Sequence, residues 1–170
     1  PHLSESNAKD WIKALKGQDP LTQAAILDMF AAKTYTPALD EIIKYVSSKN
    51  LDVQKAAVNA TVKLGGAAKL PELIALMNKG NAQDIQSIAE GIRRMEKGGV
   101  PETISAYLGN SKPEVKVALI KILADKAANE QIDFIYSELK SASPEVKSAA
   151  FNALKNVAFA SNQAELFSLL

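Results

Sequence analysis

Few side chains in this sequence are of the types that perform catalysis or bind metal ions. His2 is the only histidine, and cysteine is absent. Ser-His-Asp and Cys-His catalytic arrangements and most transition-metal sites require one or both of these residues. A pair of carboxylates could hydrolyse a glycosidic bond, but no pair stands out among the 19 acidic residues. We therefore predict no catalytic residues, no metal ligands, no cofactor and no enzymatic activity.

The only two arginines, Arg93 and Arg94, are adjacent in the sequence. A guanidinium group binds carboxylate or phosphate through a planar fork of donors, so this pair is a candidate for recognising an anion. Glu90 lies three and four positions before the two arginines, which is the spacing of ion pairs on one helix. We favour this local ion pair over an anion site.

The charge balance argues against polyanionic partners. The chain has 20 basic and 19 acidic residues and a formal net charge of +1. Without a basic excess, nothing draws the chain to nucleic acid or to an anionic membrane. No apolar run approaches the roughly 18 residues that a membrane-spanning helix needs. We predict no nucleic-acid partner and no membrane span, and leave the compartment open between cytoplasm and periplasm.

Five similar segments follow one another along the chain, each opened by an apolar anchor residue. The anchors are Leu21, Val53, Ile85, Val115 and Val146, at spacings of 32, 32, 30 and 31 residues. Small or apolar residues follow each anchor at three and four positions, and in four copies also at seven. These positions share one face of a helix. Each copy therefore contains a helix with an apolar stripe, which we call the stripe helix.

A second helix is predicted beside each stripe helix, and we call it the pairing helix. The first runs from Ser4 to Lys16 and buries Trp11, Ile12 and Leu15. The others carry apolar residues at helical spacing and cover residues 37–48, 70–79, 101–109 and 130–141.

Local signals place the ends of these helices. Proline near a helix start fits because its missing N–H would have no partner there. Candidate N-caps are Asp19, Asn50, Asn81 and Ser143. Two glycine pairs, Gly65-Gly66 and Gly98-Gly99, are predicted to end stripe helices, where a positive φ is common.

The best-formed copy shows which family the chain resembles. Glu145-Val146-Lys147, followed by Ala149-Ala150 and Ala153-Leu154, resembles a HEAT repeat, and the period near 31 is similar to compact HEAT-like units common in bacterial proteins. Copies one and three depart from this pattern at Thr22 and Gln86. The resemblance implies an all-α fold, an α/α superhelix of about five antiparallel helix pairs. One repeat domain over 1–170 would comprise units 4–33, 37–65, 70–98, 101–127 and 130–160, and a partial unit 163–170.

The positions that the repeat leaves free form the candidate binding surface. Residues two, six and nine positions after each anchor lie opposite the apolar stripe, and the family resemblance implies that they line a concave face. We call this set the column. Leu27 and Phe30 would form an apolar patch in it unless the first helix or an earlier repeat covers them, and Gly91 indicates close helix contact or a bend. The candidate contact residues of the column are Lys55, Asn59, Arg94, Lys121, Asn152 and Lys155. The remaining members of the column are Gln23, Val62, Ser87, Val117, Ala124 and Ser148.

The absence of catalytic residue types and the repeat architecture together predict a function. We expect a non-enzymatic interaction or scaffold module that binds a protein or peptide along the column. The alternative is an accessory repeat segment of a large multidomain bacterial enzyme, for example one acting on carbohydrate. Because the chain lacks an initiator Met and stops within a unit, we expect it to be part of a longer protein. Leu166, Phe167, Leu169 and Leu170 would allow end-to-end self-association through an exposed C-terminal helix.

Overall fold

The computed structural model describes residues 7–96 and 98–157, except for the side chains of residues 8, 156 and 157. The chain divides into two compact units, Pro1–Met95 and Glu96–Leu170, which we call the N-terminal unit and the C-terminal unit. The described residues of both contain helices and turns without strands, which confirms the all-α prediction. His2, the start of the first helix at Ser4, residues 158–160 and the partial unit 163–170 lie outside the described residues.

Residues 7–95 of the N-terminal unit form three pairs of a pairing helix and a stripe helix. The stripe helices α2, α4 and α6 pack beside one another in chain order. No described helix in either unit has the length and apolar character needed to cross a bilayer. The helices are α1 (Ala8–Leu15), α2 (Pro20–Ala32), α3 (Leu39–Ile42), α4 (Leu51–Gly65), α5 (Leu70–Lys79) and α6 (Ala82–Arg94).

The described part of the C-terminal unit contains two such pairs. Its stripe helices α8 and α10 pack against each other, and the pairing helix α9 contacts α10. A short 3₁₀ turn at Asn129–Gln131 precedes α9. The helices are α7 (Val100–Leu108), α8 (Pro113–Asp125), α9 (Ile132–Glu138) and α10 (Pro144–Val157).

The predicted N-caps are confirmed by their hydrogen bonds. The side-chain oxygens of Asp19, Asn50 and Asn81 each accept backbone N–H groups two and three residues later, at 2.8 to 3.1 Å. Asp84 completes a capping box by accepting the Asn81 N–H at 2.9 Å. Ser143 Oγ accepts the N–H three residues on at 3.3 Å. These bonds satisfy backbone donors that have no partner inside the helix.

The prediction of one continuous helix over residues 37–48 was wrong. The segment forms a 3₁₀ turn at Thr36–Ala38, the single α-helical turn α3, and a second 3₁₀ turn at Ile43–Tyr45. Its buried residues include Ile43 and Val46, which are three apart. A 3₁₀ turn has three residues per turn, so it brings such a pair to the same side of the chain.

The register of the first copy differs from the prediction by two residues. The predicted anchor Leu21 is 80% exposed. Leu27 and Phe30 have the column spacing from that anchor but are fully buried, which agrees with the alternative that other parts of the chain cover them. Phe30 stacks on Tyr35 with ring centroids 5.9 Å apart. The structural anchor is the half-buried Gln23, whose Nε2 donates to the Leu15 carbonyl at 3.0 Å. An apolar pattern could not identify it because the residue is polar.

Gly65-Gly66 ends α4 as predicted, but Gly98-Gly99 does not end α6. Gly66 follows α4 with φ of +52°. Helix α6 ends earlier, at Arg94, because Met95 turns to extended backbone with ψ of 149°. Gly99, with φ of +73°, lies directly before α7 instead. A positive φ is accessible to glycine at little steric cost, so the residue serves the next helix start.

Gly91 marks a close contact between two stripe helices, as expected from the sequence. A Cβ atom at this position of α6 would overlap Cγ1 of Val58 on α4 and would lie 3.3 Å from Cγ2 of Val62. Val58 and Gly91 are both buried. The hydrogen atom of glycine therefore sets how near α6 lies to α4.

We predict that Gly91→Ala destabilises the N-terminal unit. Alanine favours a helix over glycine by about 1 kcal/mol, but the overlap with Val58 should cost about 1 to 3 kcal/mol as overpacking. Urea unfolding followed by circular dichroism measures the difference. In a chain that already carries Val58→Ala, Gly91→Ala should cost less stability than it does in the wild-type chain, because the overlapping methyl group is gone. Gly17→Ala, with no heavy atom within 4 Å, is the matched control and should not destabilise.

An ion-pair cluster joins Lys16, the residue directly after α1, to α3. Glu41 lies 3.4 Å from Lys16 Nζ and 2.6 Å from Lys44 Nζ. The hydrogen bond from Lys44 is the main reason that the pKa of Glu41 lies below its ordinary value of 4.5. A carboxyl group whose pKa is lower in the folded state stabilises the fold above its unfolded pKa.

We therefore predict that part of the stability is lost as the pH falls below about 4.5, the ordinary pKa of Glu41. At pH 7, Glu41→Gln should lower the urea midpoint relative to wild type. Below the folded pKa of Glu41 the wild-type carboxyl is also uncharged, so the two urea midpoints should be nearly equal. Unfolding curves between pH 7 and acid measure this. A Lys44→Met variant should show a similar loss at pH 7, and the two losses should not add, because both remove one interaction. If the stability of Glu41→Gln depended on pH as the wild-type stability does, Glu41 would not be the group responsible.

Candidate functional site

The six predicted contact residues are all exposed, but the structure separates them into groups. Lys55 and Asn59 lie on α4 and Arg94 ends α6, all in the N-terminal unit. Lys121 on α8 and Asn152 with Lys155 on α10 belong to the C-terminal unit. Ser87, Gly91 and Ala124, three further column members, are buried. The predicted exposure of Ser87 was wrong because Ser87 bonds to Gln54 of the neighbouring stripe helix α4, and the burial of Gly91 follows from its close contact with Val58.

A groove of about 620 Å³ runs between α8 and α10 and contains two of the predicted contact residues, Lys121 and Asn152. Small side chains dominate its apolar part. Because these side chains are short, the backbones of the two helices border the groove closely. Its lining consists of Val117, Lys121, Ala124, Asp125, Pro144, Glu145, Ser148, Ala149, Asn152 and Ala153.

The polar groups of this groove, which we call the C-terminal groove, include donors and acceptors. Lys121 makes no ion pair with any described residue. Glu145 accepts a hydrogen bond from Ser143 Oγ at 2.7 Å, which holds the pKa of Glu145 below its ordinary value. An ammonium group, an amide and carboxylates thus border an apolar lining, a combination that suits a peptide carrying both polar and apolar groups.

A smaller groove of about 360 Å³ lies between α4 and α6 and contains Lys55. Its lining is mostly polar: besides Lys55 it consists of Leu51, Ala82, Gln83, Gln86, Ser87 and Glu90. We call it the N-terminal groove. The equivalent pairs of stripe helices therefore form grooves of different chemistry in the two units.

Beneath the N-terminal groove lies a buried hydrogen-bond network that the sequence pattern did not indicate. Gln54 is fully buried. Its Nε2 donates to Asp84 Oδ1 at 2.5 Å, and its Oε1 accepts from Ser87 Oγ at 2.9 Å and from Gln83 Nε2 at 3.3 Å. The network satisfies polar groups that would otherwise be costly to bury. Only the pairing of α4 with α6 brings these residues together, across about 30 positions of sequence.

Arg94, Asn59 and Lys155 lie outside both grooves. The predicted ion pair between Glu90 and Arg94 was wrong, since no ion pair of Arg94 occurs in the described part of the chain. Glu90 Oε1 instead accepts a hydrogen bond from Gln86 Nε2 at 3.1 Å. Sequence reasoning missed Asp125, Pro144 and Glu145 in the C-terminal groove, because they lie at helix ends outside the column.

The described residues contain no group of three or more His, Cys, Asp or Glu side chains able to hold a metal ion. A search of curated proteins finds no match for the chain. A family model for HEAT repeats matches residues 8–93, from α1 to the end of α6. The match includes copies one and three, whose sequences depart most from the pattern. HEAT repeats commonly mediate protein interactions or scaffolding. With half of its length matched and an α/α solenoid architecture, the chain belongs to the HEAT repeat family.

Proposed function

We propose that this protein is a non-enzymatic interaction module that binds a segment of a partner protein in the C-terminal groove. The observation that carries the proposal is the juxtaposition of Lys121 and Asn152 over an apolar lining between two packed helices. HEAT repeats commonly mediate protein interactions, and the C-terminal groove is a surface on which a partner segment can bind.

The chemistry of the C-terminal groove suits a peptide, and the charge balance of the chain disfavours a nucleic acid. The amide of Asn152 can donate to a peptide carbonyl and accept from a peptide N–H. Lys121 can donate to a carbonyl or pair with a carboxylate, while Val117 and Ala153 offer apolar contact. A nearly neutral chain has no field that would attract a polyanion.

A non-enzymatic role is supported by the residue types present. The single histidine is His2, and cysteine is absent from the whole sequence. The C-terminal groove has two acidic residues in its lining, Asp125 and Glu145, with the exposed Lys121 beside them. Glu145 has a pKa below its ordinary value of 4.5 because it accepts a hydrogen bond from Ser143, whereas a general acid at neutral pH needs a raised pKa.

We predict that peptides selected on the protein bind in the C-terminal groove. A phage-displayed library of random peptides, panned on the full chain, supplies the ligand, and titration calorimetry measures its affinity. Ser148→Trp, which adds an indole to an exposed position in the groove, should abolish binding. Lys121→Glu should weaken it by about tenfold, because a charge at the contact is reversed.

Lys63→Glu is the matched control, since Lys63 is an exposed lysine on α4 away from both grooves. It should leave peptide affinity unchanged, and circular dichroism should show that all variants are folded. Selected peptides whose affinity is insensitive to both Ser148→Trp and Lys121→Glu would reject the groove as the binding site.

A further inference from the structure

The hydrogen-bond network beneath the N-terminal groove fixes the orientation of a carboxamide at the groove surface. A carboxylate only accepts hydrogen bonds, so Asp84 Oδ1 requires the amide nitrogen of Gln54 to face it, at 2.5 Å. Gln54 Oε1 then faces the other way, where it accepts from Gln83 Nε2 at 3.3 Å. Gln83, which is exposed in the groove lining, therefore directs its carbonyl oxygen away from Gln54.

A second carboxamide in this groove is fixed in the same way. Gln86 Nε2 donates to Glu90 Oε1 at 3.1 Å. Because a carboxylate only accepts, the carbonyl oxygen of Gln86 points away from Glu90. Gln83 and Gln86 each use one amide hydrogen in these bonds and keep the other. Each side chain thus offers an acceptor oxygen and an N–H donor to a ligand, and both orientations are set before the ligand binds.

A nearly buried hydroxyl group adds an acceptor to the same groove. Ser87 is only 7% exposed, yet it lines the N-terminal groove. Its hydroxyl hydrogen is used in the 2.9 Å bond to Gln54 Oε1, so Ser87 Oγ can only accept from a ligand. Groups that are already held in place lose little conformational freedom when a ligand binds. The groove is therefore a preorganised set of uncharged hydrogen-bonding groups.

The charged groups that border the N-terminal groove balance each other. Lys55 contributes one ammonium group and Glu90 one carboxylate. Lys55 makes no ion pair with any described residue, so its ammonium group can donate to a ligand carbonyl. Leu51, which is 41% exposed, and Ala82 add apolar contact. A complementary ligand has donors and acceptors close together, no net charge and some apolar surface.

We propose that the N-terminal groove binds the main chain of an extended, uncharged segment of a partner protein. An extended segment has no internal hydrogen bonds, so its N–H and C=O groups are available. The carboxamides of Gln83 and Gln86 can accept from the one and donate to the other. Binding should then depend on the extended conformation more than on the side chains of the segment. The site and the C-terminal groove belong to different units, so the proposal does not rest on the function proposed above.

Blocking the C-terminal groove allows this site to be tested separately. A phage-displayed library of random peptides is panned on the full chain carrying Ser148→Trp, whose indole fills the C-terminal groove. The enriched peptides are synthesised, and titration calorimetry measures their affinity for the same variant. The affinity should change little with salt, because the groove lining carries no net charge.

Removal of either carboxamide identifies the contact. Gln83→Ala and Gln86→Ala, each added to the Ser148→Trp chain, should weaken binding by about fivefold, because a hydrogen bond to the main chain is lost. Asn59→Ala removes an exposed amide from α4 outside both grooves; it is the matched control and should leave the affinity unchanged. Gln54 keeps its bond to Ser87 when Gln83 is replaced, so the variants should fold, which circular dichroism checks.

Changes to the peptide test the main-chain contact from the other side. Replacing a single peptide bond with an ester removes one N–H and keeps the extended shape, and it should weaken binding at the positions in contact. Replacing side chains one at a time with alanine should have smaller effects. The proposal would be overturned if no peptide is enriched on the Ser148→Trp chain. Peptides that are insensitive to both Gln83→Ala and Gln86→Ala, or that respond to side-chain changes alone, would also overturn it.

Discussion

The close approach of neighbouring stripe helices is the constraint on which the rest of the structure depends. In the N-terminal unit Val58 of α4 occupies the space that a side chain at position 91 of α6 would need. In the C-terminal unit Ala149, Ala150 and Ala153 place a run of small buried residues along α10. Dispersion contacts fall off steeply with distance, so short side chains at the interface are what make the packing dense.

Close packing buries polar groups together with apolar ones, and the helix pairs provide partners for the larger of them, although Thr61 Oγ1 is buried without one among the described residues. Gln54 and Asp84 bond to each other between α4 and α6, and Lys116 pairs with Glu138 between α8 and α9. Such bonds add little net stability, because desolvation offsets much of the attraction. Losing one partner would nonetheless leave a buried group unsatisfied. We infer that these polar contacts favour one pairing of helices over alternatives with similar apolar stripes.

Packing also separates the residues that build the repeat from those available for recognition. Helices α8 and α10 leave a groove with an apolar lining and an ammonium group, and the corresponding groove between α4 and α6 is lined mainly by amides and hydroxyls. The same architecture thus presents two different surfaces, because the variable positions differ in chemistry while the buried stripe is kept. Binding specificity in such a chain depends on these variable positions.

Sequence alone determined the helical class, the period and the helix starts at Asp19, Asn50 and Asn81, because these depend on local backbone chemistry and on spacing along one chain. It left Gly91 open between a close helix contact and a bend. Tertiary structure decided the rotation of each helix. Each residue turns a helix by about 100°, so the two-residue shift of the anchor from Leu21 to Gln23 places Leu27 and Phe30 in the core, where the sequence had left a surface patch and a covered position both open. It also decided that Ser87 is covered while Lys121 is not. A periodic pattern identifies the apolar face of a helix, but the neighbours that cover its other faces come from distant parts of the chain.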